Sequence, residues 1–136
     1  MKNRQSAFTL LEIMLVVAII GVLLSVAIYK MGPALDVAKG TKTRADIQMI
    51  RTMLLSYNGM NGFYPSTEQG LNALVSRPGS EPAPSSWRRL MDELPKDSWG
   101  MNYIYRYPGR KNTSSYDVFS AGPDRIPDTG DDDWGG

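Results

Sequence analysis

The chain has 136 residues and a mass of 15.1 kDa, which is the size of one domain. Its 15 Lys and Arg residues nearly balance its 14 Asp and Glu residues, and the net charge of +1 argues against nucleic acid as a main partner. The chain has no cysteine and no histidine, which excludes disulfides, thiolate metal sites, thiol nucleophiles and Ser-His-Asp chemistry.

The first predicted element is a membrane-spanning helix over residues 8–29, in which Glu12 is the one charged residue. A helix of that length spans about 33 Å, close to the roughly 30 Å hydrocarbon core of a bilayer. Lys2 and Arg4 predict a cytoplasmic N-terminal side, so the chain from residue 30 onward is expected across the membrane. A secretory signal peptide or a buried core helix would usually be shorter or less uniformly apolar.

Glu12 is the unusual residue of this helix. An acidic side chain at mid-bilayer costs about 2.5–3.5 kcal/mol on insertion scales, so a carboxylate there marks a function by default. The alternative is that Glu12 lies near the membrane surface and is simply hydrated.

The segment from Ala7 to Glu12, after a short basic leader, resembles the class III signal of type IV pilins and pseudopilins. The resemblance implies that a prepilin peptidase cleaves between Ala7 and Phe8 and methylates the new amino group of Phe8. It also implies that Glu12 pairs with the amino terminus of a neighbouring subunit during assembly. The family usually has glycine at the position of Ala7, and alanine is small enough that we expect processing to survive.

A second, amphipathic part of the helix is predicted beyond residue 33. Gly32 and Pro33 are expected to loosen the helix where it leaves the membrane. Apolar residues then recur on one helical face, which predicts a surface that packs on a core. The positions of this stripe are Ile47, Ile50, Leu54 and Tyr57. The Asn-Gly pairs at residues 58–62 are expected to end the helix.

The remainder predicts a small α+β head. Ser66 and Gln69 have the spacing of a capping box before a short helix, and residues 77–86 read as a loop. Residues 101–107 and 116–119 predict two antiparallel strands joined by a loop over 108–115. One helix and one hairpin make a thin core, so we expect only marginal stability without further support.

Three short elements of this head resemble the major pseudopilin of the type II secretion system. They are Tyr64-Pro65, the turn at residues 69–71 and the Leu-Pro-x-Asp-x-Trp-Gly run at 94–100. Ser98 stands where the family has proline. We expect Trp99, in the last element, to be a core aromatic residue.

The C-terminal segment carries five aspartates within ten residues, Asp124, Asp128, Asp131, Asp132 and Asp133. One interpretation is a solvated, disordered acidic tail. The other is a loop that binds a hard cation, since calcium takes six to eight oxygen ligands from carboxylates, carbonyls and water. The spacing does not match an EF-hand, and composition alone leaves both interpretations open.

The run Ser-Ala-Gly-Pro-Asp at 120–124, followed by paired acids, resembles the calcium-binding loop of the same family. The resemblance implies that Asp124, Asp131 and Asp132 are calcium ligands, aided by carbonyls near Phe119 and Ile126. It implies a structural role for the ion, with Asp128 and Asp133 solvated or behind the ligands. Pro127 and Asp128 depart from the family's glycine-rich loop centre.

Together these features identify the chain as a type IV pilin-like α+β protein. It is expected to have a basic leader (1–7), a transmembrane and assembly helix (8–29) and a periplasmic head (30–136). The resemblance implies a non-enzymatic subunit of a type II secretion pseudopilus, made in the bacterial inner membrane and polymerised to drive protein export. Its expected partners are further copies of itself, the prepilin peptidase, minor pseudopilins and the inner-membrane assembly platform with its ATPase.

Three other functions remain as alternatives. A type IV pilin often carries a C-terminal disulfide, which this chain lacks. A membrane-tethered hydrolase would need a second acidic group facing Asp131 and Asp132, and the sequence places none there. A calcium-binding envelope protein that never assembles would not need Glu12.

Overall fold

The computed structural model describes residues 8–136, so the basic leader, including Ala7, lies outside the described residues. Four elements follow in chain order: helix α1 (Leu10–Asn61), a 3-10 helix (Leu71–Leu74), strand β1 (Ile104–Arg106) and strand β2 (Asp117–Phe119). The two strands pair antiparallel, with Tyr105 opposite Val118. This is the α+β arrangement predicted from the sequence.

Helix α1 runs through Pro33 without interruption, so the prediction of a loosened helix at residues 32–33 is wrong. Proline deprives the helix of one amide donor and strains one preceding turn, but the helical residues before Gly32 and after Pro33 keep the helix continuous. The helix belongs to two compact units, one ending at Val37 and one comprising Ala38–Gly136.

In the first unit the apolar side chains of α1 are exposed all around the helix. The span from Leu10 is long and apolar enough to cross a membrane, and none of its most apolar window is buried within the protein. A helix with this surface requires a non-aqueous environment, which a lipid bilayer or a bundle of similar helices provides.

In the second unit the predicted apolar stripe of α1 forms the core. Ile47, Ile50, Leu54 and Tyr57 are all 0% exposed. They belong to one cluster with residues of the 3-10 helix, of both strands and of the position just before β1, namely Leu71, Leu74, Tyr103, Tyr105 and Val118. The amphipathic pattern therefore identified the helix face on which the head is built.

The helix ends as predicted, at Asn61. Gly62 follows with a φ of +84°, a left-handed conformation that glycine adopts without a Cβ clash. The predicted capping box is also present, because the Ser66 amide donates to Gln69 Oε1 (3.1 Å) and the Gln69 amide donates to Ser66 Oγ (3.2 Å). It stabilises the turn that leads into the 3-10 helix.

The strands are shorter than predicted, with three residues each. Asn102 forms an isolated bridge with Lys96 and so lies outside β1. Tyr107 donates its amide to Thr67 Oγ1 (2.9 Å) and not to β2. Contacts with distant loops thus take up the backbone groups at both ends of the predicted strand.

Candidate functional site

Glu12 lies in the first turn of α1. Thr9 caps this helix end, since its Oγ1 accepts a hydrogen bond from the Glu12 amide at 3.3 Å. The side chains of Phe8 and Glu12 are exposed, and the Glu12 carboxylate has no hydrogen bond or ion pair with any other residue between 8 and 136. Up to residue 29 the helix therefore presents one negative charge on a predominantly apolar surface.

The acidic C-terminal segment is docked on the head, so the interpretation as a disordered tail is wrong. Ser120 and Asp133 exchange two backbone hydrogen bonds of 2.9 and 3.0 Å. The next residue, Trp134, stacks on Phe119 with ring centroids 4.2 Å apart, and its carbonyl accepts a hydrogen bond from Arg51 on α1. The residues between Ser120 and Asp133 form a closed loop, which we call the acidic loop.

Asp124 and Asp131 come together in the acidic loop. Asp131 Oδ2 accepts the Asp124 amide at 3.1 Å, and Asp131 Oδ1 accepts the Thr129 hydroxyl at 2.6 Å. These two bonds, the one from Thr129 first, hold the pKa of the Asp131 carboxyl below its usual value. The Asp124 carboxylate accepts the Ile126 amide at 2.8 Å, so the loop backbone holds this side chain in place as well.

Asp132, the third predicted ligand, has a different environment. Its Oδ2 accepts the Asp128 amide at 2.9 Å, whereas its Oδ1 is buried and has no hydrogen-bond partner among the described residues. A buried carboxylate oxygen without a partner is costly, and a cation is one way to satisfy it. Over residues 8–136, no three acidic side chains converge closely enough to complete a metal site by themselves.

The acidic loop contains oxygen donors of the type that calcium selects, although the acidic side chains of residues 8–136 do not form a complete site by themselves. Two charged carboxylates and one unsatisfied carboxylate oxygen are the hard oxygen ligands that this ion selects, and backbone carbonyls and water usually complete its shell. The Ile126 carbonyl already accepts the Thr129 hydroxyl at 3.0 Å but keeps a second lone pair.

The Asp128 carboxylate contacts two arginines, and none of its hydrogen bonds goes to a predicted ligand. Arg106 of β1 holds its carboxylate with two bonds of 2.6 and 2.8 Å, and Arg110 adds one of 3.2 Å. The Arg106 guanidinium lowers the pKa of the Asp128 carboxyl. Sequence reasoning missed Arg106. Side chains alternate between the two faces of a strand, so Arg106 lies on the face opposite buried Tyr105. An arginine on that face can pair with an acidic segment that packs against it.

Sequence reasoning also missed the buried link between two of the motifs. Asp97 is 4% exposed and accepts the amides of Trp99 (3.0 Å) and Met101 (2.7 Å). Its other oxygen accepts the hydroxyl of Ser120, the first residue of the Ser-Ala-Gly-Pro-Asp run, at 2.6 Å. An aspartate two residues before a Trp-Gly turn is a sequence signal for the bonds to the Trp99 and Met101 amides. It gives no signal for the bond to Ser120, which is distant in the sequence.

The predicted role of Trp99 is wrong in part, because this residue is half-buried and lies outside the core cluster. The tight turn around Asp97 leaves it at the edge, whereas Trp87 packs on the core and donates to the Ala73 carbonyl at 2.8 Å. Ser98, which replaces the family's proline, donates to the Lys39 carbonyl on α1 at 3.0 Å.

Two family models match the chain. The one described as "Type II secretion system (T2SS), protein G" matches residues 30–134, and the "Prokaryotic N-terminal methylation motif" matches residues 2–28. Similar proteins include the type II secretion system core protein G of Dickeya chrysanthemi, 42% identical over 97% of this chain and 86% of that protein. The core protein G of Pseudomonas aeruginosa is 41% identical over 90% of this chain and 87% of that protein.

A solved structure shows the same fold. It is the crystal structure of the major pseudopilin from the type 2 secretion system of enterohaemorrhagic Escherichia coli, with a TM-score of 0.67 and 40% identity. The similarity covers 72% of this chain and 82% of that one.

Proposed function

The chain belongs to the type II secretion system protein G family, the major pseudopilins, and on that premise we propose that it polymerises through α1 to drive protein export. The family is a structural, non-enzymatic part of the secretion system. The observation that carries the proposal is the exposed Glu12 carboxylate on an apolar helix, without a partner among residues 8–136.

The proposed pairing follows from the chemistry of that carboxylate. Cleavage between Ala7 and Phe8 creates a new amino group, and a neighbouring copy brings this cation to Glu12. Pairing offsets part of the cost of moving the carboxylate into an apolar environment, so it sets the register in which subunits add. The exposed apolar surface of α1 moves from lipid into the helical bundle of the filament.

The location and partners follow from the same proposal. The subunit begins as a single-pass inner-membrane protein with its head in the periplasm and ends in the periplasmic filament. Its partners are copies of itself, the prepilin peptidase, minor pseudopilins and the inner-membrane assembly platform.

Processing is tested by the intact mass and N-terminal sequence of the protein purified from membranes. We expect a chain that begins at N-methylated Phe8. A chain that retains Met1, or one cleaved near Ala27, would refute the assignment of the leader.

Assembly is tested with Glu12→Gln, which keeps the size of the side chain and removes its charge. We expect filament yield and export to fall at least tenfold, which corresponds to about 1.4 kcal/mol. Asp36→Asn on the same helix is the matched control, because Asp36 is also exposed, and it should assemble normally. Filaments of Glu12→Gln at the yield of the control would contradict the pairing.

We also propose that calcium binds Asp124, Asp131 and Asp132 and has a structural role. The ion would relieve the repulsion between the carboxylates and satisfy the buried Asp132 oxygen. Its binding free energy then adds to the stability of the head.

Chelation tests the calcium proposal. At free calcium one hundred times its dissociation constant, binding stabilises the folded state by about 2.7 kcal/mol, so chelation should lower the melting temperature of the full chain in detergent. Tryptophan fluorescence reports on the head alone, because Trp87, Trp99 and Trp134 all lie there. The Asp132→Asn variant should lose most of this response. If the wild-type melting curve is the same with calcium and with chelator, the calcium proposal is refuted.

A further inference from the structure

We propose that Arg106, Arg110 and Asp128 form an ionic latch that keeps the acidic loop closed without a bound ion and fixes the direction of the Asp132 carboxylate. The first part concerns the head itself and needs no metal. The second part rests on the calcium role proposed above and makes Asp128 a positioning residue for it.

The geometry of the latch distinguishes it from an ordinary surface ion pair. Exposed pairs contribute little, because solvent screens them and long side chains lose entropy when they are fixed. Here the Arg106 side chain is only 18% exposed and grips both oxygens of Asp128, and Arg110 contacts the same carboxylate. The Arg106 guanidinium also lies 5.2 Å from the centre of the Phe119 ring, so its position is restrained before the loop closes.

The backbone at Asp128 adopts a conformation that the contacts of its side chain help to maintain. Its φ is +69°, in the left-handed region that favours glycine. Aspartate tolerates this region better than most residues, yet it remains less favourable than glycine there. The two arginine contacts provide a local reason for the loop to keep this conformation.

The latch also determines where Asp132 points. The Asp128 amide donates to Asp132 Oδ2, so the bonds that hold the Asp128 side chain also hold this amide in place. With Oδ2 engaged, Asp132 Oδ1 is the oxygen that stays buried and unsatisfied. The latch thus prepares the oxygen that a cation would take.

Positioning and simple electrostatics predict different effects on cation binding. Asp128→Asn leaves the arginine charges unpaired near Asp132, which disfavours a cation. Arg106→Gln removes one positive charge from beside Asp128, which would favour a cation if charge alone mattered. If the latch acts by positioning, both substitutions weaken binding.

The first experiment measures melting of the full chain in detergent with chelator present. Asp128→Asn and Arg106→Gln should each lower the melting temperature by about 4 °C or more, and the double variant should fall little further because both remove the same contact. Asp92→Asn is the control, since Asp92 is exposed and far along the chain from the acidic loop. Melting temperatures of both single variants within about 1 °C of this control would overturn the latch.

The second experiment uses terbium(III) as the probe, with luminescence excited through Trp134, which lines one cavity with Asp128 and Asp132. Both single variants should bind terbium at least about threefold more weakly than the wild type. Tighter binding by Arg106→Gln would overturn the positioning role. A wild-type chain that binds neither terbium nor calcium would refute both the calcium proposal and the positioning role, and the chelated melting curves would still decide the latch.

Discussion

Asp97 and Asp117 show how this head uses buried carboxylates. Asp117 is 3% exposed and accepts the backbone amides of Arg110 (2.6 Å), Lys111 (3.0 Å) and Asn112 (3.0 Å). Asp97 likewise binds two amides and one hydroxyl. Several charge-assisted hydrogen bonds offset the cost of burial, so each aspartate acts as a fixed anchor for a loop.

We predict that Asp97→Ala lowers the free energy of unfolding by about 2–3 kcal/mol, because the donors around it lose their acceptor. Urea unfolding of the full chain in detergent, followed by tryptophan fluorescence, measures the loss. The exposed Asp92→Ala should stay within about 0.5 kcal/mol of the wild type. Equal stabilities of the two variants would mean that water can accept the hydrogen bonds that Asp97 accepts in the wild type.

The hairpin shows how one glycine allows an element to close. A Cβ on Gly109 would lie 2.6 Å from Asp117 Oδ1 and 2.8 Å from the Asn112 carbonyl oxygen. Only a residue without a side chain permits this approach, which brings the loop amides onto the Asp117 carboxylate. The short strands therefore depend on the loop as much as on their own pairing.

Gly109→Ala should destabilise the head by about 1–3 kcal/mol, the usual cost of forcing an extra methyl group into a packed site. Gly79→Ala is the matched control, because a Cβ there meets nothing within 4 Å. Chemical denaturation of both variants gives the comparison. A loss in Gly109→Ala no greater than in the control would show that the hairpin loop moves freely.

The head has a thin core, and its own C-terminal residues pack against that core. Trp134 connects β2 to α1 through the Phe119 stack and the Arg51 hydrogen bond. Gly135 lies close to Ile47, and a Cβ on this glycine would come within 2.9 Å of the Ile47 side chain.

The core also contains several tyrosines. Burial raises the pKa of Tyr103 and of Tyr105, and for Tyr103 the hydrogen bond to Asp46 adds to the shift.

These tyrosines predict a loss of stability in alkali. A folded-state pKa above the ordinary 10.0 means that only the unfolded chain releases the proton as the pH passes 10. The stabilisation is therefore complete below pH 10 and declines above it. Unfolding free energies measured across this range, with phenolate absorbance, test the claim, and Tyr103→Phe should show a shallower decline. A constant free energy of unfolding would contradict it.

Features carried by consecutive residues were predictable from the sequence: the apolar span, the stripe of α1, the glycine at its end and the capping box. Each depends on helical periodicity or on local backbone chemistry. The composition of the acidic loop was read directly from the sequence, whereas its calcium ligands stay a prediction from the family resemblance. The path of the loop was not predictable, because Arg106 and Asp128 are 22 positions apart, Asp97 and Ser120 are 23 apart, and Arg51 and Trp134 are 83 apart. Such contacts arise only when the chain folds back on itself, since no local rule relates residues at those separations.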